Sequence, residues 1–226
     1  MKKSYLTIFG FLTQIIFFPF LIAENKPHEL WWERNLVSED YYTLFANWLD
    51  DTKAHSRIAM RDHIKQQGYL SILDVPCGLC IDFFGIQQDQ IPIQYTGLDI
   101  TPQLIKKGKE AGVACFLGSI ENIPFSDQSF DIGYARHILE HLDYYENALN
   151  ELIRVSKKEV LVVFFIKPCD QEEDIINPSI HQEALLYHNQ YSQQKLEKFL
   201  LQNKRTSFLE WQLVSDKEII LHIYLN

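Results

Sequence analysis

Ser71-Ile72-Leu73-Asp74-Val75-Pro76-Cys77-Gly78-Leu79-Cys80 is the stretch on which the reading of this chain turns. An apolar run carrying one acid ends in a Pro-Cys-Gly turn, the signature of a buried strand delivering the chain to a tight bend. Glycine at 78 lets the backbone approach a ligand closely, because it carries no Cβ. Downstream, residues 94–99 form a second strand, and Asp99 stands at its carboxyl end, 21 residues after Gly78. An acid at that place and spacing can accept hydrogen bonds from both hydroxyls of a ribose.

The pattern then alternates. Thr101 as N-cap and Pro102 at the first helical position open a helix that Gly112 stops. Residues 113–117 and 130–135 read as third and fourth strands. A helix over 145–156 presents Leu149, Leu152, Ile153 and Val155 as its buried stripe. Residues 160–166 are continuously apolar, as in a central strand covered on both faces. A helix over 192–201 precedes two strands, 208–214 and 218–225, joined by Ser215-Asp216-Lys217 as an antiparallel edge hairpin. Strands alternating with helices predict an α/β fold with a doubly wound, mostly parallel sheet. Upstream, Ser38-Glu39-Asp40 opens a helix with Tyr42, Phe45, Trp48 and Leu49 on one face. A second helix covers 56–67 and ends at Gly68.

The 226 residues carry 46% apolar and 23% charged side chains, an ordinary globular balance. A net charge of −9 excludes the basic surface that nucleic acids need, and Lys106, Lys107 and Lys109 are a solvated helix face. Four cysteines are too few for a disulfide scaffold. Residues 5–23 are mostly apolar behind Lys2 and Lys3, and close on Leu21-Ile22-Ala23 before polar Glu24. This predicts a secretory signal peptide or an uncleaved membrane anchor, hence export or membrane association. The alternative is an apolar helix packed on a cytoplasmic domain. The expected partition is residues 1–23 for targeting, 24–70 as a helical lid, and 71–226 as the α/β domain.

Several segments together carry a resemblance. Leu73-Asp74-Val75-Pro76-Cys77-Gly78, Thr96-Gly97-Leu98-Asp99, the run from Ile123-Pro124-Phe125 to Ser129-Phe130-Asp131, His137-Ile138-Leu139-Glu140-His141-Leu142 and Glu151-Leu152-Ile153-Arg154-Val155 come in the order found in class I S-adenosylmethionine (SAM)-dependent methyltransferases. They look most similar to the small-molecule branch called type 11, and Asn189-Gln190-Tyr191-Ser192 fits it too. The resemblance implies SAM as cofactor and a small-molecule methyl acceptor. Asp74 is then expected near the methionine end, with Pro76 and Gly78 in the cofactor turn and Asp99, followed by Ile100, on the ribose. Ser119 and Ile120 are expected beside the adenine, and Tyr134, Ala135 and Arg136 along the methionine part. The chain departs from the pattern where Pro76 and Cys80 replace glycines of the turn, and where Ser119 stands in place of an aspartate. Cys80 is expected to add bulk where the next helix packs. A rival reading is a degenerate SAM-binding or interaction protein without catalysis.

His137, His141 and Arg136 are the candidates for general-base or positioning work. His137-Ile138-Leu139-Glu140-His141 also matches the HxxEH of zinc proteases, and Cys77-Gly78-Leu79-Cys80 a redox CxxC. Those proteases carry the motif on a long helix, and no second CxxC follows the first, so metal ligation is expected at neither. The charge and the aromatic lid point to an acceptor that is compact, neutral or cationic, and partly apolar.

Overall fold

The continuously apolar run after residue 159 becomes the spine of the sheet. The computed structural model describes Lys26, Glu29, Trp32, residues 51–181 and residues 184–226. The segment 1–23, expected to target the chain, and the helix expected from Ser38, with Tyr42, Phe45 and Trp48, lie outside the described residues.

In chain order the elements are α1 (His55–Gln67), β1 (Ser71–Asp74), α2 (Ile81–Gln88), β2 (Gln94–Asp99), α3 (Pro102–Glu110), β3 (Cys115–Leu117) and β4 (Phe130–Arg136). A short 3-10 turn (Leu139–His141) follows, then α4 (Glu146–Val155), β5 (Ser156–Phe164), β6 (Pro178–His181), β7 (Ala184–Tyr187), α5 (Gln193–Gln202), β8 (Thr206–Leu213) and β9 (Ile219–Leu225). The main sheet has the order β3-β2-β1-β4-β5-β9-β8. The first five strands in the chain are parallel, whereas β9 runs antiparallel to both β5 and β8.

Local chemistry explains the boundaries. Gly68 closes α1 in the left-handed region at φ 64°, where its N–H bonds the Ile64 carbonyl. Thr101 is extended and Pro102 opens α3. Leu149, Leu152, Ile153 and Val155 are all buried on α4, as their spacing predicts. β5 divides its side chains between two cores. Val160, Val162 and Phe164 join the layer beneath α4 and α5, and Leu161 and Val163 join the layer beneath α1 and α2. A strand buried on both faces needs an apolar residue at every position.

Three expectations change. The central strand ends at Phe164, because the Phe165 and Ile166 amides leave the ladder to donate to Glu140 Oε1 at 2.7 and 3.2 Å. The hairpin is at the edge as predicted, but β9 lies inside it and only β8 is the rim. The two-stranded ribbon β6–β7 is not expected from the sequence, since four residues per strand hold too few alternations to register.

Candidate active site

In a doubly wound sheet the ligand crevice forms outside the carboxyl ends of the strands where the winding reverses. Here that point lies between β1 and β4, whose neighbours β2 and β5 diverge to either side. The turn after β1 is stitched across it: Val75 N–H donates to Tyr134 O and Cys77 N–H to Leu98 O, both at 2.9 Å. Gly78 has φ 52°, and among the described residues a Cβ built there would meet nothing within 4 Å. Asp99 Oδ2 accepts from Gly78 N–H and Oδ1 from Thr101 N–H, each at 2.9 Å. These bonds use two of about four acceptor positions on the carboxylate, and the remaining two suit a pair of ribose hydroxyls. Burial raises the Asp99 pKa, opposed by those amide bonds. Ile100 follows, half-buried. The residues present fit the expected cofactor.

The altered turn is absorbed rather than strained against the site. The Val75–Pro76 peptide is cis, and Cys80 caps α2 in the left-handed region at φ 57°. The Cys80 thiol is fully buried. A Cβ on Gly108 would lie 3.1 Å from its Sγ and 2.7 Å from Cys115 Sγ, and one on Gly97 would lie 2.8 Å from Cys77 Sγ. Glycines on β2 and α3 thus make the room that cysteines in the turn consume. The expected crowding by Cys80 falls between α3 and the sheet, not on the open side of Gly78. All four cysteines are free thiols.

Asp74, Pro76, Tyr134 and Ala135 sit deeper than their expected roles imply. Asp74 is buried and accepts from Tyr95 Oη at 2.6 Å; burial, then the Asp82 charge, pushes its pKa well up. Tyr134 is fully buried, and its hydroxyl has no partner among the described residues. Ala135 packs in the opposite core with Ile120, and Pro76 is half-buried. Beneath the turn, Arg57 of α1 pairs with Asp82 of α2, whose second oxygen is unpartnered among the described residues. Sequence reading missed Arg57. Its signal was its spacing: Arg57, Met60 and Ile64 fall three and four apart, on the buried face of α1.

Beside Ser119 the structure supplies what the sequence seemed to lack. Ser119 Oγ donates to Glu29 Oε1 at 2.7 Å, so a carboxylate from the N-terminal segment stands next to this serine. Lys26 Nζ, 2.6 Å from Glu121, ties the same segment down. A pair 90 residues apart in the chain leaves no local mark in the sequence.

On the other side of the switch point lie the three candidates named for chemistry. Arg136 donates to Ser56 Oγ at 3.0 Å and to Glu218 Oε1 at 2.7 Å, and His137 Nε2 lies 2.8 Å from the same Oε1. Burial alone would raise the Glu218 pKa, but the His137 hydrogen bond and the Arg136 charge hold it down to about 2. His137 takes φ 56°, a conformation uncommon for a side-chain-bearing residue and concentrated at functional sites. Burial lowers its pKa, with Glu218 opposing. His141 Nδ1 donates to Tyr187 O at 2.7 Å, and burial pushes its pKa down to about 4. A wall of rings surrounds it: Trp32, Phe165 and His188 lie 5.3, 5.3 and 5.2 Å from the His141 ring. The HxxEH residues run through a 3-10 turn, and its two histidines serve different partners.

A methyltransferase domain family model matches residues 73–164. Ajmaline N-methyltransferase from Rauvolfia serpentina is 27% identical over 101 residues, 41% of this chain and 34% of that protein. Malonyl-[acyl-carrier protein] O-methyltransferase from Buchnera aphidicola is 26% identical over 137 residues, 58% of this chain and 54% of the relative. The chain thus spans less than two thirds of the length of these relatives. Among solved structures, human N-acetylserotonin methyltransferase in complex with SAM superposes with a TM-score of 0.64 at 11% identity, over 84% of this chain and 57% of that one. Burkholderia thailandensis 1,6-didemethyltoxoflavin-N1-methyltransferase, bound to 1,6-didemethyltoxoflavin and S-adenosylhomocysteine, does so at 0.57 and 13%, over 92% and 94%. The matched segment runs from β1 to the end of β5, and the fold around it is that of these solved methyltransferases.

Proposed function

We infer that the chain transfers a methyl group from SAM to a compact, partly apolar small molecule that is neutral or cationic. The observation that carries this reading is the pairing at one sheet edge of the Asp99–Gly78 carboxylate-and-turn arrangement with the ring-lined wall around His141. The cofactor, when bound, supplies an electrophilic methyl on its sulfonium, so the protein's task is alignment and exclusion of water. Asp99 holds the ribose, Gly78 offers its backbone without a Cβ in the way, and Ser119 with Ile120 flanks the adenine. Arg136 and the backbone of Tyr134 and Ala135, whose side chains are buried, frame the methionine part.

His141 stays neutral at pH 7, and its Nδ1–H is committed to Tyr187 O, so Nε2 offers a lone pair to an acceptor O–H or N–H. With a pKa near 4 it orients the acceptor better than it takes a proton. Lys26, Glu29 and Trp32 touch both sides of the site, which supports residues 24–70 as a lid. The degenerate rival rests on Pro76 and Cys80, and the burial of the Cys80 thiol on the Gly108 side, away from the Gly78 face, favours a working turn over it.

The test is calorimetry with SAM, followed by transfer of labelled methyl groups across a panel of small heteroatom nucleophiles. Trp32→Ala should raise the acceptor's KM while leaving SAM affinity within about twofold. Robust labelling of nucleic acid, or no SAM binding by pure protein, would overturn the reading.

A further inference from the structure

At the opposite end of the sheet lies a second cluster that methyl transfer does not use. Glu159 of β5 is fully buried, and each of its oxygens meets an imidazole: His63 Nε2 at 2.7 Å from Oε2 and His222 Nδ1 at 2.8 Å from Oε1. Tyr69 Oη also donates to Oε2, at 2.6 Å. The three ligand-type atoms lie within 4.8 Å of one another. They come from α1, β5 and β9, with His63 and His222 lying 96 and 63 residues from Glu159 in the chain.

We propose that His63, Glu159 and His222 form a zinc site, three protein ligands with a fourth position for water. The hydrogen-bond accounting points there. His222 Nε2 lies 3.0 Å from Gln212 Oε1, which leaves Nδ1 turned to the carboxylate. With His63 Nε2 on the other oxygen, two ring nitrogens and one buried carboxylate converge, a donor set that suits a divalent cation. A buried carboxylate needs such a compensating charge.

The surroundings match what metal ligands require. Gln212 orients the His222 ring and Tyr69 steadies the carboxylate, the outer hydrogen bonds that position metal ligands. Two imidazoles and one carboxylate suit zinc at about 2.0–2.2 Å per bond. An open groove lined by His63, Asp62, Gln66 and Gln212 gives an entry path and the water position. Glu159 pairs in register with Ile132, four residues before Arg136, so the ion would lie roughly 13 Å along the strand from the methyl-transfer edge. Its role is to rivet α1 to the sheet, and α1 carries Ser56 and Arg57 to the other site.

The experiment takes the full-length chain stripped with chelator and titrates it with zinc chloride by calorimetry, with elemental analysis and melting in parallel. The expected result is one zinc per chain and a raised melting temperature. His63→Gln, at the cluster's solvent-facing edge, should weaken zinc at least about tenfold, as should His222→Gln if it folds. No zinc binding and no melting shift would overturn the proposal. So would full stoichiometric affinity in His63→Gln, which would place the ion elsewhere. None of these readouts depends on SAM.

Discussion

Replacing Asp99 with asparagine separates its two tasks. The carboxylate accepts from the Gly78 and Thr101 amides at 2.9 Å each, from a side chain buried at the strand end. Asparagine keeps the shape but has only one acceptor oxygen, so its NH2 must face one of those N–H groups. An unmatched buried amide costs about 1–3 kcal/mol. Burial disfavours the Asp99 charge, and removing it offsets part of that cost. A net loss of about 1–2 kcal/mol should lower the melting temperature by roughly 2–8 °C for a domain of this size. The ribose would also lose charge-assisted bonds worth about 1.5–3 kcal/mol, a weakening of SAM by roughly 10- to 150-fold. Melting by circular dichroism and SAM titration by calorimetry read the two effects separately. A variant that melts lower yet binds SAM as tightly as the wild type would make Asp99 purely a turn clasp and refute its role on the ribose.

Gly108→Ala should destabilise the wild type by about 1–2 kcal/mol net, overpacking against Cys115 and Cys80 exceeding the gain in helix propensity. In a Cys115→Ala background the same change should become neutral or stabilising, and chemical denaturation of the four proteins would expose any failure of that sign reversal. Burial pushes the Glu140 pKa up to about 7 from 4.5, so the native state keeps a proton that the unfolded chain releases. Its stabilising contribution is complete below pH 4.5 and fades as pH rises through 7, by about 3 kcal/mol at 1.36 kcal/mol per pKa unit. Glu140→Gln keeps an acceptor for the Phe165 and Ile166 amides, so it should gain on the wild type between pH 5 and pH 8 in melting experiments. An unchanging gap across that range would show that Glu140 titrates normally.

What the sequence determined by itself is whatever depends on near neighbours. Strands buried on both faces are dominated by apolar residues, so residues 160–166 declared a central strand, of which the ladder keeps 160–164. The glycine-bearing turn and an acid 21 residues on declared the cofactor edge, because sheet winding leaves one place for them. Arg57 was legible in principle, since a charge on the buried face of a helix has to find a partner. Other features were decided only by tertiary structure. Glu29 reaches Ser119 across 90 residues, and Glu218 gathers Ser56, Arg136 and His137 from three elements. The room for Cys80 depends on Gly108, and Glu159 meets its two histidines only once α1, β5 and β9 have packed. Burial strengthens these long-range pairings by removing the water that would otherwise compete for each group, and no local pattern records which distant segment will exclude it.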